Sequence, residues 1–387
     1  MAPVESRAAT APRLSRRVRR LHASPIREIL AVIDRPGMIS FAGGLPAPET
    51  FPALRLDGLP ESWKQYGPSE GEAELRERIA GELRERGLAC AAEQVIVLSG
   101  SQQGIDLVAK LFLDEDTPVA LESPTYLAAL QVFRFFGARF LPLVPEQAGA
   151  DWSTTAPALA YTIATFQNPT GRWLDASQRA ALAAACDRHG VPLFEDDPYR
   201  DLAYDPCERR PVCGLLRQAA WVYQGSFSKS LAPGLRLGYL AASPDLLPLL
   251  LRLKQAADLH SSRISQWLVL EQLRDPRREE RLAGLVATYR RKRDHFAQLL
   301  QRELGGLARW ELPAGGLFFW LELARPLDTR ALLAQALERG LAFMPGEPFY
   351  PGEPPAGAAL RLNFSHADAD QAERGLRLLG ELLRRAA

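Results

Sequence analysis

The sequence predicts an α/β protein, and three observations carry that reading. Between residues 94 and 242 short apolar runs alternate with helical stretches, the pattern of a mostly parallel sheet covered on both faces. The runs at 220–223 and 237–242 flank a compact polar loop, so strand, loop and strand follow one another there. After residue 242 long helical stretches mix with a few strands, which predicts a second, smaller α+β unit. The chain has 387 residues, 47% hydrophobic and 24% charged, enough apolar material for a large core. A net charge of +1 argues against recruitment of nucleic acid by bulk electrostatics, and no apolar run reaches transmembrane length. Cys90, Cys186, Cys207 and Cys213 are scattered with no CxxC pair, so free thiols in a reducing cytoplasm are expected rather than zinc ligands.

Residues 1–21 read as a basic arm carrying Arg7, Arg13, Arg16, Arg17, Arg19 and Arg20. A transit peptide is the alternative, opposed by Glu5 and the lack of an apolar stripe. Residues 22–40 open the small domain. Ser24 as N-cap and Pro25 at the first helical position start a helix that Pro36-Gly37 stops, before a short extended piece at 39–41. Residues 41–274 form the large domain. Its start, Gly43-Gly44-Leu45-Pro46, has no room for regular structure; it either brings backbone close to a ligand or simply connects. An acidic helix start at 70–79 runs on toward Leu88. Seven strands are expected at 94–98, 118–121, 138–143, 160–165, 191–194, 220–223 and 237–242, with helices at 103–113, 125–136 and 176–189. A single long helix is expected at 244–273. Residues 275–387 complete the small domain: a helix at 277–304 after Asp275-Pro276, strands at 317–323 and 360–364, and helices at 329–339 and 368–385.

The strand ends carry the chemistry. Ser226-Phe227-Ser228-Lys229 to Arg236 places an amine able to form Schiff bases beside hydroxyls and a guanidinium that suit a phosphate. The plain alternative is a solvated loop. Ser99-Gly100-Ser101-Gln102-Gln103-Gly104 meets a helix N-terminus, an anion site. Glu122, 18 residues beyond Gly104, raises a dinucleotide fold as a rival, but the loop is neither G-x-G-x-x-G nor a Walker loop. Gln167-Asn168-Pro169-Thr170-Gly171 is a structural turn or an amide held at the carboxyl edge of the sheet. Glu195-Asp196-Asp197-Pro198-Tyr199 could bind a metal, though no second cluster partners it; a buried carboxylate could instead pair with a protonated ring nitrogen. Tyr126, alone, reads as core; beside the rest it could stack on a flat cofactor. Pyridoxal phosphate needs all of these groups.

With those residues in view the chain resembles the fold-type I aminotransferases (class I/II), in particular the 2-aminoadipate and kynurenine aminotransferase subgroup. The resemblance spans roughly residues 22–385 and rests on the 167–171, 195–199 and 226–229 motifs and on Arg361-Leu362-Asn363-Phe364-Ser365. It implies that Lys229 forms the internal aldimine and shuttles the proton, and that Asp196 pairs with the pyridine nitrogen. Asn168 and Tyr199 would bond the phenolic oxygen, and Tyr126 would stack on the ring. Ser101, Gln102, Ser226, Ser228 and Arg236 would hold the phosphate, with Tyr66 reaching the phosphate of the neighbouring subunit of a homodimer. Arg361 would clamp the substrate carboxylate in a bidentate pair; Gly44 would close over it and Arg27 would touch the substrate. The apolar segment 343–349 resembles the family's pocket-lining loop and suits a bulky or long side chain.

The implied reaction is ping-pong amino-group transfer between an L-amino acid and a 2-oxo acid, without metal, nucleic acid or membrane partners. Decarboxylation, elimination or carbon–carbon bond formation on the same cofactor is the alternative, since substrate orientation selects the bond broken. A non-enzymatic sensor domain is a lesser one, because the roughly 20 residues before the recognisable fold are too few for a winged-helix module.

Overall fold

The computed structural model describes residues 14–20, 37–145 and 152–386. The helix expected from Ser24, and Arg27 within it, lie outside the described residues. In chain order the strands are β1 (Ile39–Ser40), β2 (Val95–Leu98), β3 (Pro118–Leu121), β4 (Arg139–Pro142), β5 (Leu159–Thr162), β6 (Leu193–Asp196), β7 (Trp221–Ser226), β8 (Gly238–Ala242), β9 (Ala308–Arg309), β10 (Phe318–Leu323), β11 (Leu341–Ala342), β12 (Met344–Pro345) and β13 (Ala359–Asn363). The longer helices are α1 (Ala73–Glu85), α2 (Ser101–Phe112), α3 (Leu127–Phe136), α4 (Ala176–His189), α5 (Leu247–Asp258), α6 (Arg263–Arg274), α7 (Arg278–Leu304), α8 (Thr329–Glu338) and α9 (Ala369–Ala386).

Seven strands form one sheet in the order β2-β8-β7-β6-β5-β3-β4. All neighbours run parallel except where β8 meets β2 and β7. Side chains alternate between faces as a pleat requires: Val95 and Val97 join one apolar core, Ile96 and Leu98 the other. Both faces are thus covered, which is why these strands read as continuous apolar runs. A four-stranded antiparallel sheet, β12-β13-β10-β9, packs with α7 and α9 around a third core that includes Ile39 and Phe41. β1 pairs in parallel with β11.

Helix ends follow their sequence signals. Asp175 caps α4, accepting from Gln178 N at 2.8 Å, and Gly190 ends it in the left-handed region at φ +64°. One expectation fails. The helix anticipated at 244–273 is two helices, broken between Asp258 and Arg263. Leu259 has φ +62°, and Ser262 caps α6 by accepting from Ser265 N at 3.3 Å. Tertiary bonds hold the break: Ser261 Oγ donates to Val97 O at 3.2 Å, and the buried Lys254 donates to Ser261 Oγ at 3.0 Å. In the basic arm, Arg16 and the half-buried Arg20 pair with Glu115 and Arg17 with Asp114, surface pairs of small energetic weight.

Arg179 of α4 ties the carboxyl edge of the sheet together. It is 1% exposed and donates to Leu174 O (2.7 Å), Ala164 O (2.7 Å), Thr165 Oγ1 (3.0 Å) and Arg210 O (2.8 Å), beside the Glu195 carboxylate at 3.8 Å. Burial and the Asp197 charge push the Glu195 carboxyl up, and Arg179 opposes them. Arg179→Met removes the cation beside a buried carboxylate and breaks five hydrogen bonds to carbonyl and hydroxyl oxygens. We expect a loss of about 3–5 kcal/mol, read as an earlier chemical-denaturation transition; an unmoved transition contradicts this role.

Candidate active site

The parallel strands deliver their carboxyl ends to one edge of the large sheet, where such folds bind ligands. Ser226 ends β7, Asp196 ends β6, and the turns after β5 and β3 carry Asn168 and Tyr126. Together they line a cleft of about 680 Å³, within the range of small-molecule sites. Its walls include Ser101, Gln102, Tyr126, Asn168, Asp196, Tyr199, Ser226, Ser228, Lys229, Arg236, Gly44 and Arg361. Of the residues expected at the site and described, only Tyr66 lies elsewhere. It is 76% exposed and meets the His260 ring edge-on at 5.7 Å.

Lys229 Nζ donates to Gly44 O at 2.8 Å. Burial, reinforced by the Arg361 and Arg236 guanidiniums, lowers its pKa to about 8. About a tenth of this amine is therefore neutral and nucleophilic at pH 7, far more than for an ordinary lysine. The Asp196 carboxylate accepts from Gln224 Nε2 at 2.8 Å and from the Tyr161 hydroxyl at 3.0 Å. Burial raises its pKa to about 6 while those two bonds pull it down. The three consecutive acids diverge: Glu195 accepts from Cys213 N at 2.9 Å, and Asp197 from the Tyr223 hydroxyl at 2.8 Å. Glu122, the acid that raised a dinucleotide fold, accepts from Ile163 N at 3.0 Å and Thr162 Oγ1 at 3.2 Å, a structural tie between strand ends.

On the facing wall Arg361 extends from β13, whose register sets it opposite Trp320 and Met344. It donates to Asn168 Oδ1 at 2.8 Å and Ala42 O at 2.6 Å, and its Nε is buried without a partner. Phe318 and Phe349 sit against the guanidinium at 4.2 and 4.9 Å. Burial lowers its pKa to about 10. Asn168 Nδ2 lies 3.5 Å from the Tyr199 hydroxyl. Burial raises both nearby phenols, Tyr126 to about 12, so both stay protonated donors. At the other end α2 opens directly after Gly100, whose φ of +85° only glycine takes cheaply. A Cβ there would lie 2.4 Å from Arg236 Nη2, so the glycine lets the guanidinium reach the helix N-terminus. That pairing of free N–H groups with a fixed cation is an anion cradle.

Sequence reasoning missed Ile163 and Phe318, which also line the cleft with Gly43, Leu45 and Pro198 of the motifs it quoted. Ile163 and Phe318 carry no signal, because an apolar residue at a strand end reads as core. Of the segment expected to line the pocket, Phe343, Met344 and Phe349 are buried, and Phe349 packs against the Arg361 guanidinium.

Comparison with known proteins bears directly on this geometry. A 2-aminoadipate transaminase of Thermus thermophilus is 39% identical over 94% of this chain and 95% of its own length. The solved alpha-aminoadipate aminotransferase of the same species, complexed with N-(5'-phosphopyridoxyl)-L-leucine, superposes with a TM-score of 0.87 at 36% identity, covering 96% of this chain and 97% of that one. The Pyrococcus horikoshii kynurenine aminotransferase, solved with PMP, gives 0.88 at 30% identity over 96% and 97%. The sequence profile of aminotransferase class I and II matches residues 39–379, and the chain belongs to that family.

Proposed function

We propose that this enzyme moves the amino group of an L-amino acid to a 2-oxo acid, with pyridoxal phosphate held in the cleft through Lys229. The observation that carries the reading is the buried, weakly basic amine of Lys229 sharing one cleft with the Asp196 carboxylate, an anion cradle and Arg361. The donor set fits the cofactor. The α2 N-terminus at Ser101 and Gln102, the Ser226 and Ser228 hydroxyls and Arg236 suit a phosphate. Asp196 keeps lone pairs for a ring nitrogen, Asn168 and Tyr199 supply donors for a ring oxygen, and Tyr126 supplies a flat face.

When bound, the cofactor supplies an aldehyde carbon and a ring that draws electron density from the substrate's Cα–H bond. Lys229 would supply the amine that holds the cofactor and the group that takes and returns the proton at Cα. Asp196 would hold negative charge at the ring nitrogen. Arg361 pairs the substrate carboxylate, using its unpartnered Nε and the free N–H bonds of its Nη atoms, while Gly44 closes over that carboxylate and Arg27 touches the substrate. The apolar segment 343–349 suits a long or bulky substrate side chain. The named relatives, which act on 2-aminoadipate or kynurenine, agree with such a donor.

A homodimer fits the exposed apolar side chains of Phe51, Leu54, Leu56, Leu259 and Ile264, with Tyr66 reaching the neighbouring phosphate. Residues 41–274 act as the cofactor-binding domain, and 22–40 with 275–387 as the smaller one. The free thiols of all four cysteines suit a cytoplasmic setting; no described helix is long and apolar enough to cross a membrane.

Three outcomes test this reading. Lys229→Ala should reduce transamination to background, and borohydride should fix a pyridoxyl label on Lys229 of the native protein; retained turnover, or a label elsewhere, refutes the assignment. Cofactor uptake by the apoprotein needs the neutral amine, so its rate should climb from pH 6 to about 8 and flatten above; a rate that falls across that interval contradicts the lowered pKa. Arg361→Lys should raise the amino-acid KM at least about tenfold while cofactor affinity changes little, and equal losses in both would remove Arg361 from substrate binding.

A further inference from the structure

Asp196 does not stand alone at the end of β6. It is 2% exposed, and the two strands flanking β6 each send it one donor from a side chain that is 0% exposed. Tyr161 comes from β5 and donates to Oδ2 at 3.0 Å; Gln224 comes from β7, directly across from Asp196 in register, and donates to Oδ1 at 2.8 Å. One bond per oxygen fixes the plane of the carboxylate and leaves each oxygen able to accept again. Neither donor lines the cleft, so both act only through Asp196. The Tyr161 ring is itself pinned, edge-on to Phe133 at 5.5 Å and tilted against Phe194 at 5.4 Å.

Gln224 is the more telling of the two. Its carbonyl oxygen is buried and has no hydrogen-bond partner. An apolar residue would fill that place in an apolar strand without leaving a polar atom unsatisfied, which costs stability. The amide is therefore explained by its donor end. Its carbonyl end occupies the position where a side chain on Gly104 would begin: a Cβ there would lie 1.8 Å from Gln224 Oε1. Gly104 sits one turn into α2, the helix whose first residues form the anion cradle. A single amide thus bridges the cradle helix and the acid.

We propose that Tyr161 and Gln224 are positioning residues that hold the Asp196 carboxylate in place and charged for the cofactor's ring nitrogen, and that Gly104 is the seat that admits Gln224. This rests on the reading that Asp196 pairs with that nitrogen. The test reconstitutes the enzyme with pyridoxal phosphate carrying 15N in its ring. The ring-nitrogen resonance, which reports its protonation directly, is recorded by solid-state NMR, and the cofactor dissociation constant is measured alongside. Tyr161→Phe and Gln224→Met, both near-isosteric, should each move the resonance toward the unprotonated pyridine value and weaken cofactor binding about tenfold. Gly104→Ala should reproduce the Gln224→Met shift, and should add little further in a Gln224→Ala background, where the clash with the amide is gone and Leu98 Cδ1, at 2.9 Å, is the remaining close neighbour. If Asp196→Asn moves the resonance but the Tyr161 and Gln224 variants leave it in place, the positioning role is overturned and the Asp196 reading stands. If Asp196→Asn also leaves it unmoved, the reading of Asp196 itself falls.

Discussion

The structure turns on the concentration of buried charge at one sheet edge. Among the described residues, Lys229, Arg236 and Arg361 line the cleft against a single carboxylate, Asp196. Charges removed from water are costly unless paired, and three cations sharing one cleft repel one another. Burial lowers the basicity of both Lys229 and Arg361, and at Lys229 the Arg361 and Arg236 charges add to it. An excess of positive charge would suit ligands that bring a phosphate at one end and a carboxylate at the other. The same excess helps to keep the Lys229 amine partly neutral.

Two separate sheets supply this arrangement. The large sheet contributes the groups at strand ends, where a parallel fold presents free backbone and polar turns without interrupting its ladders. Arg361 comes from the antiparallel sheet, on β13, and is pressed between Phe318 and Phe349. Its bond to Asn168 Oδ1 crosses the cleft, and its bond to Ala42 O holds it to its own wall, so the two walls share one network. The side chain that would grip a substrate carboxylate is thus bonded to the same asparagine that would face a ring oxygen.

Much of this was legible in the sequence, for physical reasons that also mark where legibility ended. Asp196, Asn168 and Lys229 stand out because each is a polar residue just where an apolar run stops. Phe318 and Ile163 do not, since an apolar side chain gives no sign of whether it faces a core or a cleft. The break at Leu259 was hidden because Leu-His-Ser-Ser contains neither Gly nor Pro; the bonds of Ser261 to β2 and Lys254 impose it. β9, β11 and β12 are two residues long, too short to show a period. Gln224 did leave a trace, as a polar residue inside a buried strand, but only its partner Asp196 gives that trace meaning.

The central claim is that this cleft exchanges an amino group for a carbonyl oxygen on a bound cofactor. The most direct measurement adds a single L-amino acid to the holoenzyme with no acceptor present and counts products per active site. The account requires one equivalent of the matching 2-oxo acid, no carbon dioxide, and recovery of the original cofactor absorption when a 2-oxo acid is then supplied. Release of carbon dioxide, or continuous product formation without an acceptor, would contradict it.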